Sequence, residues 1–141
     1  MSASYDDLIQ SIAELESTEF LEELSEHLGK EVERLIEHGF QSATAPDGTV
    51  WAPRKLAKGR TSPPHLPLRK SYRMHDSFTV ETSPAGIHVT NPIEYTSFQN
   101  DGTGYIDARP MVPPEGELQG WDEPLESAGL KFMTSKLNEG R

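Results

Sequence analysis

Five histidines (His27, His38, His65, His75 and His88) and 23 acidic residues are the groups in this 141-residue chain most able to bind a metal or move a proton. A zinc or general-base site needs such groups clustered, two ligands a helical turn or a strand step apart with a carboxylate to orient them. No two of the histidines stand in an HxxxH or HxH spacing. His88 falls on the outer face of an expected strand, His27 on a polar helix face, and His38 in that helix's last turn, where a cation is mildly favoured. The carboxylate pairs Asp6-Asp7 and Glu22-Glu23 fall on solvated helix faces. The chain has no GxSxG for serine catalysis and no GxxxxGK[ST] or GxGxxG for nucleotides. Gly102-Thr103-Gly104 is too short to cradle a phosphate. With no cysteine, disulfides, thiolate metal sites and a cysteine nucleophile are excluded. The expectation is therefore no catalytic residue, no metal ligand, no cofactor and no enzyme.

Composition points the same way. The chain suits one domain, 1–141, but its 34% hydrophobic content is lean. A chain this polar often completes its burial against a partner. The net charge is −10 and unevenly placed: residues 1–40 hold eleven acidic and two basic residues, 41–80 two and seven, and 81–141 ten and four. An acidic head, a basic middle and an acidic tail can attract one another between identical subunits, or can be a solvated surface that aids solubility. General nucleic-acid binding is disfavoured at a net charge of −10, because phosphate contacts need clustered Lys and Arg. Residues 1–10 have neither a basic nor an apolar leader pattern, and no run reaches the ~18 apolar residues of a membrane span, so a soluble protein is expected.

The elements follow from periodicity. Residues 1–40 read as acidic helices: a short one capped by Ser4, then one capped by Thr18. The second carries an apolar stripe at Leu21, Leu24, Leu28, Val32, Leu35 and Ile36 and ends at Gly39. Residues 41–67 read as a long basic, Pro-rich loop. Asp47 and Gly48 form a turn after Pro46, Trp51 anchors the loop to the core or to a neighbour, and Arg54, Lys55, Lys58 and Arg60 follow. That basic cluster fits a neighbour's acidic helix, DNA, or bulk solvent. Residues 68–113 hold one or two helical turns and a hairpin over 77–82 and 87–90, with Phe78, Val80, Ile87 and Val89 on one face. A short helix over 93–100 follows. Residues 114–141 hold a polar link and a last helix from Trp121 to Leu137. Asp122 is its expected cap, Leu125, Ala128, Phe132 and Leu137 its stripe, and Gly129 weakens it by ~1 kcal/mol.

The stretch from Tyr95 to Pro113 organises the rest. An aromatic, Tyr95, anchors a helix. The chain breaks at Asp101-Gly102-Thr103, and Arg109, held before Pro110, enters an extended segment. Arg109 is placed to grip a carboxylate, within its own subunit or across to the next. Trp51, Arg54, Lys55, Lys58, Arg60, Tyr95, Arg109 and Pro110 are the expected contact residues, and Asp47, Gly48 and Gly102 the expected structural turns.

Three segments together resemble the phage virion-morphogenesis or tail-completion family, similar to the head–tail joining proteins of tailed phages. The first is Phe40 followed by PDGTVWAP, Pro46 to Pro53. The second runs from Leu68-Arg69-Lys70-Ser71 to Ser77-Phe78, and the third from Tyr95 to Met111. Thr96, Asn100 and Met111 stand where that family usually has alanine, glutamate or glutamine, and phenylalanine. The resemblance covers roughly residues 20–113. It implies a structural virion protein of α+β fold, a small antiparallel sheet with N-terminal and C-terminal helices packed on it and a long Pro-rich loop. It implies a ring of about six copies that joins the tail tube to the head connector as a tail-completion, neck or terminator protein. The ring would form in the host cytoplasm, end at the virion's head–tail junction, and pass the genome through its lumen without specific binding and without a membrane. A small soluble enzyme or ligand-binding domain with a dispersed site is the alternative from a different class.

Overall fold

The long acidic stretch after Ser17 is helical because its apolar residues recur every three or four positions. The computed structural model describes residues 9, 17–52, 73–114 and 116–139. Among them the helices are α1 (Thr18–Ser42), α2 (Arg73–Asp76), α3 (Thr96–Asp101) and α4 (Asp122–Glu139). The strands β1 (Thr79–Ser83) and β2 (Gly86–Thr90) pair as an antiparallel hairpin. The fold is α+β, and among the described residues no helix is long and apolar enough to cross a membrane. The expected first helix and Ser4 lie outside the described residues, Ile9 apart. So does most of the basic loop, Arg54, Lys55, Lys58 and Arg60 included.

Both ends of α1 correct the sequence expectation. Ser17, not Thr18, is the cap: the Phe20 N–H donates to Ser17 Oγ at 3.1 Å, satisfying one of the helix's orphan donors. Thr18 is already helical. At the other end the helix runs past Gly39 to Ser42. Ala43 takes a left-handed φ of 55°, and the Thr44 N–H returns to the Gly39 carbonyl at 3.1 Å. This is a Schellman closure with alanine where glycine is usual. The extra turn places Phe40 on the buried face, where it is 1% exposed. Burying a phenylalanine gains about 1.5–3 kcal/mol, which outweighs the ~1–2 kcal/mol of a left-handed alanine. Gly39 serves a close approach instead, since a Cβ there would stand 3.1 Å from the Thr44 carbonyl oxygen.

The described residues form two compact units. The first comprises 17–32, 80–88 and 123–139. Phe20 packs on Phe132 with ring centroids 5.7 Å apart, and His27 on the same ring at 5.2 Å. Lys136 Nζ meets Glu23 Oε2 at 2.5 Å, and this hydrogen-bonded carboxylate holds the lysine above its ordinary pKa. The buried positions of α1 here are Phe20, Ser25, Gly29 and Val32, whereas Leu21 is exposed. The stripe is thus rotated from the one read off the leucines. Small residues sit where elements approach: a Cβ on Gly29 would meet Thr82 Cγ2 at 2.6 Å, and Gly129 lies buried near Leu28. In the hairpin Val80, Ile87 and Val89 are half-buried between exposed neighbours, the alternation a one-faced hairpin requires.

Among the described residues the second unit comprises 33–52, 73–79, 89–114 and 116–122, and its core is built around Phe40. Trp51 (5.5 Å, 82°), His75 (4.7 Å, 89°) and Phe78 (6.1 Å, 61°) present their rings to it edge-on. Ala43 to Trp51 is more ordered than the irregular loop expected there. Thr44 and Val50 bridge, the Ala45 N–H bonds the Thr49 carbonyl at 2.8 Å, and the Trp51 N–H bonds the Ala43 carbonyl at 2.8 Å. The tip is the Pro46-Asp47-Gly48 turn, with Gly48 at φ 90° and the Thr49 N–H donating to Asp47 Oδ1 at 2.9 Å.

Candidate functional site

The stretch from Asn91 to Val112 is held by side chains that bond backbone. Asn91 starts it: its Oδ1 accepts the Ile93 N–H at 3.0 Å and the Thr96 hydroxyl at 3.1 Å, while its amide donates to the Met74 carbonyl at 2.9 Å. That Asx turn delays α3 to Thr96, later than the expected start at Ile93. Tyr95 is not the anchor of this helix. It stays 39% exposed, and Thr96 is the buried residue, because Asn91 holds Thr96 rather than the ring.

α3 ends at Gly102, which has φ 79° and donates its N–H to the Phe98 carbonyl at 2.9 Å. Glycine is required twice over: the φ is positive, and a Cβ would lie 2.8 Å from the Ala108 nitrogen. The chain loops through Thr103, whose hydroxyl accepts the N–H groups of Tyr105 and Ile106 at 3.1 Å each. It returns alongside α3, where the Arg109 N–H bonds the Gln99 carbonyl at 2.8 Å. Asn100 Oδ1 accepts the N–H groups of Met111 at 2.8 Å and Val112 at 3.3 Å.

The same segment closes on the Trp51 hairpin. Trp51, 3% exposed, donates its indole N–H to the Pro110 carbonyl at 2.8 Å. Arg109 Nε donates to the Ala52 carbonyl at 2.9 Å. The structure therefore brings Trp51, Arg109 and Pro110 together as one clasp, with Asp47, Gly48 and Gly102 at the turns that lead into it. The aromatics of this stretch face outward: Tyr95, Phe98 (54% exposed) and Tyr105 (92% exposed). Glu94, Asp101 and Asp107 are exposed among them.

Sequence reading missed the bonds that Asn91 and Asn100 make. The first carries a signal, since an asparagine before a proline favours an Asx turn. The second does not, because its partners lie eleven and twelve residues away. It also missed what surrounds His75, whose Nε2 contacts Glu37 Oε2 while Nδ1 meets Asp76 Oδ1 at 2.7 Å. Among the described residues no three His, Cys, Asp or Glu side chains are grouped to hold a metal. A cleft of about 200 Å³ beside Trp121 is lined by Leu35, Ala45 and Met111, with His38 the titratable residue among its lining.

No curated protein and no solved structure matches the chain significantly. A family model does, the phage virion morphogenesis family, over residues 4–109. That span takes in α1, the Trp51 hairpin, the β-hairpin, α3 and the loop up to Arg109. With most of its length matched, and with the clasp residues as far as Arg109 inside the match, this chain belongs to the phage virion morphogenesis family.

Proposed function

We propose that this virion-morphogenesis protein assembles with copies of itself into a closed ring at the head–tail junction, where it joins the tail tube to the head connector. The observation that carries this reading is the exposed aromatic set Tyr95, Phe98 and Tyr105 on a backbone held at both ends by hydrogen bonds. Aromatic residues are enriched at the buried cores of protein interfaces, and a pre-ordered loop loses little entropy on docking. A ring is a heterologous contact that closes by rotation, and about six copies suit a junction of this kind. The chain's segregated charge supports the same arrangement. Basic residues 54–73 of one copy meet an acidic surface of the next, and an acidic lumen repels the genome that passes through it without specific binding. The ring forms in the host cytoplasm and ends in the virion as a tail-completion, neck or terminator component.

The test is the triple variant Tyr95→Ser/Phe98→Ser/Tyr105→Ser, compared with wild type by mass in solution over a range of concentrations. The variant is expected to remain monomeric where wild type assembles, with a cooperative melting curve that shows it still folds. Assembly of the variant at wild-type concentrations would remove the aromatic set from the interface.

A further inference from the structure

In the second unit a groove of about 420 Å³ runs between the end of β2 and α3. Half-buried Phe78, Val89, Ile93 and Val112 line it, and the exposed residues Glu94 and Asp101 stand on its border. No basic residue is among its lining residues, and residues 93–108 carry Glu94, Asp101 and Asp107 with no Lys or Arg. An apolar strip bordered by carboxylates suits an occupant that is both apolar and cationic.

The chain's own sequence supplies such a segment, Pro64-His65-Leu66-Pro67-Leu68-Arg69, followed by Lys70. It lies outside the described residues, within the part of the chain where basic residues outnumber acidic ones seven to two. Prolines three apart share one face of a polyproline helix, which has three residues per turn. Apolar grooves bind such faces at low entropic cost, and a flanking arginine fixes direction by pairing with a carboxylate. We propose that the groove beside α3 receives Pro64–Arg69 of a neighbouring copy, with the prolines on its apolar floor and the Arg69 guanidinium on Glu94 or Asp101. This rests on the ring reading and deepens it: groove on one copy and segment on the next make the head-to-tail contact that a ring repeats.

The test uses the full chain in three forms: wild type, Glu94→Lys/Asp101→Lys and Arg69→Glu/Lys70→Glu. Each is followed by mass in solution against concentration, with a melting curve to show that it folds. The curve matters for Asp101, whose Oδ1 accepts the Asn100 amide at 2.9 Å. Each variant alone is expected to raise the assembly midpoint roughly tenfold or more. Mixed in equal amounts the two are expected to recover assembly, because the reversed groove meets the reversed segment while the two native surfaces meet each other. Wild-type rings with unaffected variants would overturn the docking and leave the ring standing. Folded variants that lose assembly and do not recover on mixing would overturn it too, since a segment lying in its own chain's groove cannot be rescued by another copy. A wild type that stays monomeric at every concentration would overturn the ring reading and this contact with it.

Discussion

Asn100 is the side chain on which the second unit's loop closure most depends. Its one carbonyl oxygen accepts two backbone N–H groups, those of Met111 and Val112, next to the Pro110 carbonyl that Trp51 holds. Asn100→Ala leaves both donors without this acceptor in a part-buried setting. A loss of about 1–3 kcal/mol is expected in denaturant unfolding, the range for an unsatisfied polar group. A second contrast separates two turn glycines, both at positive φ. Gly48→Ala places its new carbon in open space, so only backbone strain of about 1 kcal/mol is expected. Gly102→Ala adds a collision with the Ala108 backbone at 2.8 Å, and about 3 kcal/mol is expected from strain and overpacking together. Equal melting temperatures for the two variants would refute the close approach of Ala108 to Gly102.

At the scale of elements, the Pro46-Asp47-Gly48 turn is sensitive to acid. The Thr49 N–H donates to Asp47 and holds its carboxyl below the ordinary value of 3.8. A lowered folded-state pKa means that this contribution is present above the unfolded value and is lost as pH falls through the folded one. A carboxyl titration by NMR should give Asp47 a midpoint below 3.8, and Thr49→Pro, which removes the donor, should bring it back up. A midpoint at or above the ordinary value in the wild type would contradict the turn geometry.

The elements also show how far the sequence could be read. α1, the β-hairpin, the short α3 and α4 follow from apolar spacing and from Gly and Pro punctuation, so their existence was legible. Their ends were less so. Ser17 and Thr18 are adjacent hydroxyls that cap equally well on paper, and only the position of Phe20 chooses between them. Gly39 looks like a terminator until Phe40 is known to need burial. Trp51, Arg109 and Pro110 stood out by type, but their mutual contact spans 57 to 59 residues of chain. Local periodicity carries no information over that distance. Asn100 was hidden for the same reason, since an asparagine near a helix end reads first as a turn residue.

At the scale of the whole molecule, the family assignment and the outward-facing aromatics support the proposal that this protein works as a repeated subunit. Its composition is lean in apolar residues, the chain carries a net charge of −10, and seven of its thirteen basic residues lie in 41–80. A contact between unlike charged surfaces is screened by salt, with a Debye length of about 10 Å at 0.1 M and about 3 Å at 1 M. An aromatic contact is not screened in this way. High salt is therefore expected to weaken the assembly without abolishing it. The most direct measurement is the mass of the purified full-length protein in solution, across concentration and salt. The account predicts a discrete closed species of about six copies, in equilibrium with monomer and shifted toward monomer by salt. A strict monomer at every concentration, with no affinity for isolated tails or connectors, would contradict it.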